Sequence, residues 1–263
     1  MNSIIEFKNV SFKYEDEEDI EIENEFIFND VTISLEAGIT SLIGQNGTGK
    51  STFLLLAGGI LLPQKGDIFI LGNNTKDLRD EFTRQKYVSF IYQNMEFETE
   101  EPIEVLLNYV YENGFHTEKR SDFISELIEI FELKNILKRK TQEISKGELQ
   151  RTILAFSLLY GSKILMMDEP VFALENYQKH RVMKYITEYA KKNNISIFYS
   201  AHELNITERY SENILMFYKN RNIQYGKTKD LYNETNLEKL YEIPYSYIRQ
   251  NFYFTELDKV AKK

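Results

Sequence analysis

The sequence predicts an α/β fold in which an α/β core carries an antiparallel sheet and is interrupted by a helical insertion. Three observations predict it. Ile5, Phe7, Val10, Phe12 and Tyr14, then Val31, Ile33 and Leu35, nearly alternate in the way of half-buried strands. The apolar run Ile39-Thr40-Ser41-Leu42-Ile43 meets a second run, Thr52-Phe53-Leu54-Leu55-Leu56-Ala57, across a turn holding Gly44, Gly47 and Gly49, a strand-to-helix junction. From Pro102 to Tyr160 the apolar residues recur at helix-face spacing instead, with Val105, Leu106, Tyr109 and Val110, then Phe123, Leu127, Ile128, Ile130 and Phe131.

Composition narrows the function classes. With 263 residues, 42% of them hydrophobic, the chain has enough apolar material for a substantial core, so disorder is not the reading. Its 32 basic against 41 acidic side chains give a formal charge of -9, which disfavours a surface that coats nucleic acid. Much of the imbalance is local: Glu15, Asp16, Glu17, Glu18, Asp19, Glu21, Glu23 and Glu25 read as a solvated charge run in the loop between the first two strands. The absence of cysteine excludes a disulfide framework and a thiolate metal site, and suits a reducing cytoplasm. Met1 to Lys8 lack the basic-then-apolar build of a signal peptide. The longest apolar run, Phe53 to Leu62, falls far short of the about 20 residues that span a bilayer, so a membrane role is expected to need a separate subunit.

Gly44-Gln45-Asn46-Gly47-Thr48-Gly49-Lys50-Ser51 fits the phosphate-loop pattern of Gly, four residues, then Gly-Lys-Ser. Backbone N–H groups must converge on an anion there, and the glycines remove the side chains that would block it. Lys50 adds a mobile positive charge for the outer phosphates, and Ser51 offers a hydroxyl to magnesium, which prefers oxygen ligands.

The remaining candidates follow in order. Tyr14 ends the first strand, where its ring could stack on a base or simply close the strand. Asp67 to Leu71 and Tyr87 to Tyr92 read as strands, and the second delivers Gln93, whose amide can reach magnesium or water beyond the strand end. Ser145-Lys146-Gly147-Glu148 opens a helix; it fits a capping box, and equally an anion site offered to a second molecule's nucleotide. Lys163 to Met167 form an apolar strand that exits into Asp168 and Glu169. Asp168 suits magnesium, and Glu169 suits a base that takes a proton from the attacking water. A last strand, Ile195 to Ser200, leads into His202, a donor for a terminal phosphate, whereas His116 and His180 read as surface residues.

Together these motifs resemble the ATP-binding subunit of an ABC transporter, from about Ile5 to Ile248. Tyr14 looks like the adenine-stacking aromatic, Gly44 to Ser51 the Walker A loop, Gln93 the Q-loop glutamine and Ser145 to Glu148 part of the signature motif. Asp168 and Glu169 look like the Walker B acid and catalytic glutamate, and His202 the switch histidine. The resemblance implies a P-loop NTPase with a RecA-like core. One domain over 1–250 is implied, with the core and antiparallel sheet in 1–94 and 161–250, a helical subdomain in 95–160 and an extension at 251–263. ATP is then held by Tyr14, by Gly44, Gln45, Asn46, Gly47, Thr48, Gly49, Lys50, Ser51 and Thr52, by Gln93, and by Ser145, Gly147 and Glu148. Mg2+ falls to Ser51, Gln93 and Asp168, and catalysis to Glu169, His202 and Lys50.

The implied partners are integral-membrane permease subunits and a second copy of the cassette sandwiching two ATP molecules head to tail, with no nucleic acid, on the cytoplasmic face of a membrane. Permease docking is expected just after Gln93, where Met95, Phe97, Ile103, Leu106 and Leu107 offer apolar anchors beside Glu98, Glu100 and Glu101. Three positions depart from the family pattern: Lys146 where glycine is usual, Glu148 where glutamine is frequent, and Glu175 where aspartate is usual. All three sit where two cassettes meet. A soluble ABC ATPase acting on ribosomes or DNA is the alternative, disfavoured by a single cassette with only residues 52–144 between Walker A and signature. An ATP sensor without turnover is disfavoured by Glu169 and His202. His202-Glu203-Leu204-Asn205, Gly226-Lys227-Thr228 and Asn236 to Pro244 resemble the ATPases of iron-siderophore, haem and cobalamin importers.

Overall fold

The structure, a computed structural model, describes residues 3–14 and 26–252; the acidic run and residues 253–263 of the expected extension lie outside the described residues. Strand β1 (Ser3–Phe12) buries Ile5 and Phe7, then changes parity to bury Val10 and Phe12. A bulge accounts for the change: Phe7 pairs with Ile33 but Val10 with Val31, and Asn9 between them takes a left-handed φ of 51°. The partner is β2 (Phe28–Glu36), antiparallel to β1.

Strand β3 (Ile39–Gly44) is buried along its whole length and feeds α1 (Lys50–Ala57). Next come β4 (Lys65–Ile70), antiparallel to the other edge of β1, and the short β5 (Asn73–Asn74), completing a four-stranded sheet in the order β2-β1-β4-β5. Phe53 of α1 fixes where the phosphate loop sits. Its ring is fully buried, stacked on Phe7 of the antiparallel sheet with centroids 4.6 Å apart, and edge-on to Phe217 of the second sheet at 5.4 Å.

After α2 (Glu81–Gln85), capped by Asp80, strand β6 (Val88–Ile91) delivers Gln93. The helical segment holds α3 (Ile103–Asn113), α4 (Phe123–Ile130) and α5 (Lys146–Tyr160). Its core corrects the expected face of α3: Ile103, Leu107 and Tyr111 are buried, whereas Val105 is 42% and Tyr109 63% exposed. The buried stripe lies about one position round the helix from the expected one. Pro102 starts the helix and Ile103 already belongs to the core.

Strands β7 (Ile164–Met167) and β8 (Ser196–Ser200) flank α6 (Asn176–Asn193). Beyond α7 (Leu204–Tyr210), the expectation of a last strand at 195–200 is corrected, because β9 (Asn213–Phe217) and β10 (Ile223–Lys227) follow it. The second sheet runs β10-β9-β3-β8-β7-β6, so β9 lies directly beside the strand that feeds the phosphate loop. A five-residue strand buried on both faces shows no alternation to announce it. The described chain closes with α8 (Thr228–Leu231), α9 (Glu234–Tyr241) and α10 (Tyr245–Phe252), whose Leu237, Leu240 and Ile248 pack on Ile43, Ile214 and Met216.

The surface reading of His116 and His180 is also corrected. Both are half-buried. His116 Nε2 donates to the Leu158 carbonyl at 2.9 Å and meets Tyr111 and Phe123 edge-on, and His180 Nδ1 lies 3.1 Å from the Tyr210 hydroxyl. Burial pulls both imidazoles below their ordinary value.

Candidate ATP-hydrolysing site

The loop between β3 and α1 needs its glycines for different reasons. Gly44 has φ 146°, and a Cβ there would stand 2.4 Å from the Phe217 carbonyl oxygen, so the neighbouring strand forbids any side chain. Gly49 begins α1 in the left-handed region at φ 97°. Within the loop, Lys50 Nζ donates to the carbonyls of Gly44 at 2.9 Å and Gln45 at 2.8 Å, and the Thr48 hydroxyl donates to Gln45 at 2.9 Å. Gln45 Nε2 reaches outward to the Leu240 carbonyl at 3.3 Å, so α9 braces the loop from behind. Burial pushes the Lys50 amine below its ordinary value, while the carboxylates of Glu169 and Asp168 pull it back up.

A cavity of about 660 Å³ opens over this loop, walled by Ile27, Asn46, Gly47, Gly49, Lys50, Ser51, Thr52, Gln93, Glu169, Phe172 and His202. Residues from β3, β6, β7 and β8 thus converge at the carboxyl ends of the sheet strands, where an open α/β sheet binds its ligands. Tyr14 stands beside this wall rather than in it. Its hydroxyl lies 3.3 Å from Thr52 Oγ1, its ring is edge-on to Phe12, and 46% of the residue is exposed.

The acidic side of the cavity is built by strand register. Parallel pairing of Met167 with Tyr199 sets Asp168 beside Ser200. The Ser200 hydroxyl donates to Asp168 Oδ1 at 2.5 Å and accepts the Glu169 N–H at 2.9 Å, holding the buried Asp168 and the start of the next loop with one oxygen. Glu169 adopts φ 50°, a left-handed conformation costly for a residue with a side chain, which turns its carboxylate into the cavity. His202 Nε2 donates to Glu169 Oε1 at 2.7 Å.

Two contributors escaped the sequence reading. Ser200 carried one legible signal, a hydroxyl at the end of an apolar strand. Gln150 carried none: from α5 its Nε2 donates to the Glu169 carbonyl at 3.1 Å and its Oε1 accepts the Ala173 N–H at 2.8 Å, tying residues 169–173 to the helix that begins at Lys146.

Ser145 and Gly147 are not brought to the phosphate loop by this chain, and neither lines the cavity. The capping box is formed. The Ser145 hydroxyl and N–H both donate to Glu148 Oε2 at 2.8 Å, and the Glu148 N–H returns to Ser145 Oγ at 3.3 Å. Ser145 is nonetheless exposed, so the positive end of a 15-residue helix faces outward.

A second groove, of about 250 Å³, lies between β6 and α5; its walls include Phe90, Tyr92, Met95, Phe97, Val110 and Phe156. The expected docking anchors are corrected in part. Ile103 and Leu107 are fully buried in the helical core, whereas Met95 and Tyr92 are 36% and 43% exposed along the groove. Among the described residues no helix is long and apolar enough to cross a membrane.

Comparison with known proteins agrees with this geometry. The family model described as ABC transporter matches residues 28–172. The chain is 30% identical over 220 residues to an ABC transporter ATP-binding protein of Methanocaldococcus jannaschii, covering 82% of this chain and 86% of that one. It is 27% identical over 210 residues to the petrobactin import ATP-binding protein of Bacillus anthracis, covering 79% and 84%. Among solved structures it shares the fold of the ATP-binding subunit of an ABC transporter, with TM-score 0.73 and 23% identity over 89% of this chain and 94% of that one. It likewise matches a dimeric ATP-binding cassette bound to ADP and phosphate, with TM-score 0.70 and 20% identity over 85% and 98%. The phosphate loop and the paired glutamate and histidine wall one cavity next to a buried strand-end aspartate, and the chain belongs to the ABC transporter family as its ATP-binding, ATP-hydrolysing subunit.

Proposed function

We propose that this chain energises the import of an iron chelate or related metal-chelate nutrient, working from the cytoplasmic face of a membrane with permease subunits and a second copy of itself. The observation that carries the hydrolytic part is the 2.7 Å pairing of His202 with Glu169 on the wall of the cavity that also holds Lys50 and Ser51. In this reading Lys50 leaves the loop carbonyls for the outer phosphates of ATP, and the N–H groups of residues 44–51 cradle them. Glu169 takes the proton of the attacking water, and His202 donates to a γ-phosphate oxygen as the bond to the leaving ADP breaks. Among the described residues no cluster of three or more His, Cys, Asp or Glu is placed to hold a metal ion, whereas Ser51 and Gln93 on the cavity wall and the buried carboxylate of Asp168 offer the oxygen donors that suit Mg2+. Bound there, Mg2+ would neutralise developing phosphate charge.

The groove beside Tyr92 and Met95 takes a short amphipathic segment of the permease. The groove is lined mainly by apolar side chains, with Glu81 and Arg84 of opposite charge at its edge, so apolar anchors rather than net charge carry the docking. The cargo part rests on the resemblance of residues 202–205 and 236–244 to metal-chelate importers and on the petrobactin-import relative. These residues do not touch cargo, so the test is made in cells. Those carrying Glu169→Gln should fail to accumulate labelled iron chelate, haem or cobalamin while other uptake proceeds, and normal uptake of all three with no second transporter present would reject the cargo reading.

A further inference from the structure

We infer that Lys179 is a positioning residue for ATP hydrolysis, holding His202 against Glu169 through Glu203. The inference rests on the reading that Glu169 and His202 carry the hydrolytic step. Two loops bring these residues together: Glu169 begins the segment that runs into α6, and His202 begins the one that runs into α7. Lys179 stands in the first turn of α6, its N–H donating to the Glu175 carbonyl at 2.9 Å. Its Nζ forms an ion pair with Glu203 Oε1, and Glu203 is the residue between His202 and α7.

Burial sets this lysine apart. The Lys179 side chain is 12% exposed, whereas among the described residues every other lysine in an ion pair has a side chain at least 37% exposed. The Glu203 side chain is 33% exposed, so the sheltered end is the ammonium, and losing Glu203 would leave that half-enclosed charge without its partner. Glu203 also anchors the start of α7, its carbonyl accepting the N–H groups of Ile206 at 3.1 Å and Thr207 at 3.4 Å.

A second contact closes the bracket at the far end of α7. The Tyr210 hydroxyl donates to the His180 carbonyl at 3.0 Å, with His180 Nδ1 3.1 Å from the same oxygen. Two consecutive residues of α6 therefore grip both ends of α7. The loop bearing Glu169 and the loop bearing His202 are held as one body, and the 2.7 Å contact between their tips is set from outside the cavity. Lys179 itself does not line the cavity, so its loss should leave nucleotide binding alone and act on turnover.

The test compares Lys179→Met, Lys179→Arg and Lys179→Met with Glu203→Gln in the full chain by steady-state ATP hydrolysis. Lys179→Met should lower kcat about 10- to 100-fold with KM for ATP changed by less than about twofold, since misplacing a reacting group by an ångström has effects of that order. Lys179→Arg should restore kcat to within about threefold, because a guanidinium can still reach Glu203. Adding Glu203→Gln to Lys179→Met should cost nothing further, as partners in one contact are not additive. If Lys179→Met fails to fold, Glu203→Leu alone removes the acceptor of the same contact and should show the same split between kcat and KM. Wild-type kcat in these variants beside an inactive His202→Ala overturns the inference alone, as does a parallel rise in KM. Wild-type kcat in His202→Ala overturns the reading beneath it and the inference with it.

Discussion

His202 and Glu169 leave different strands 33 positions apart, yet the imidazole Nε2 donates to the carboxylate at 2.7 Å. Each occupies the group that the other needs for chemistry. In the proposed mechanism an arriving γ-phosphate that competes for His202 would release the Glu169 carboxylate to face the attacking water. In that reading the pair would link occupancy of the cavity to release of the proposed base.

Replacing the base and replacing the phosphate ligand should fail in different ways. Glu169→Gln keeps the shape and should keep ATP binding while lowering turnover roughly 10²- to 10⁴-fold. Lys50→Ala removes a charge-assisted hydrogen bond and should cost about 1.5–3 kcal/mol of nucleotide affinity. Isothermal titration with ATP separates the two, and wild-type hydrolysis by Glu169→Gln would remove Glu169 from the mechanism.

Ser145 and Gly147 remain outside their own chain's cavity, so their anion ligand should come from the second cassette. With Glu169→Gln to slow hydrolysis, ATP should produce a dimer in light scattering. Adding Ser145→Arg should abolish it, since the larger side chain also removes the cap that the Glu148 N–H uses. Dimerisation unaffected by Ser145→Arg would place the interface elsewhere.

Groove and core substitutions beside Gln93 should separate cleanly. Tyr92→Glu with Met95→Glu changes exposed positions and should leave the thermal midpoint nearly unchanged, because such sites usually shift stability by less than about 0.5 kcal/mol. Co-purification of the permease should nevertheless be lost. Leu107→Ala, at a fully buried position, should instead cost about 2–5 kcal/mol and act through folding. Retention of the permease by the double glutamate variant would reject this docking face.

The two half-buried histidines make a pH prediction. His116 and His180 are each held below the ordinary value of 6.5, in both cases by burial first. The unfolded chain then binds more protons than the folded one just below that pH. Their contribution is complete above about pH 6.5 and is lost as pH falls through the lower folded values. Thermal midpoints followed from about pH 8 to about pH 5.5 should decline across that window. A chain carrying His116→Gln and His180→Gln should decline less, and an equally steep fall would assign the effect to other groups.

By itself the sequence determined whatever depends on contiguous residues. The phosphate loop is legible because its backbone demands glycine at fixed offsets, and Gly44 with its forbidden Cβ shows why. The Ser145 cap is legible because a capping box is a four-residue affair, and Asp168 and Glu169 because an apolar strand ends where two acids begin. Only the tertiary structure decided what depends on register and packing. Ser200 serves Asp168 because parallel strands distant in the chain align Met167 with Tyr199, and no periodicity carries that alignment. Strand β9 sits beside β3, between it and the edge strand β10, although its five buried residues look like any short apolar run. The face of α3, the burial of His116 and the grip of Lys179 on Glu203 follow from neighbours supplied by other elements. Local backbone geometry is written where it occurs, whereas a contact between strands or helices is written in two places at once, and folding alone brings them together.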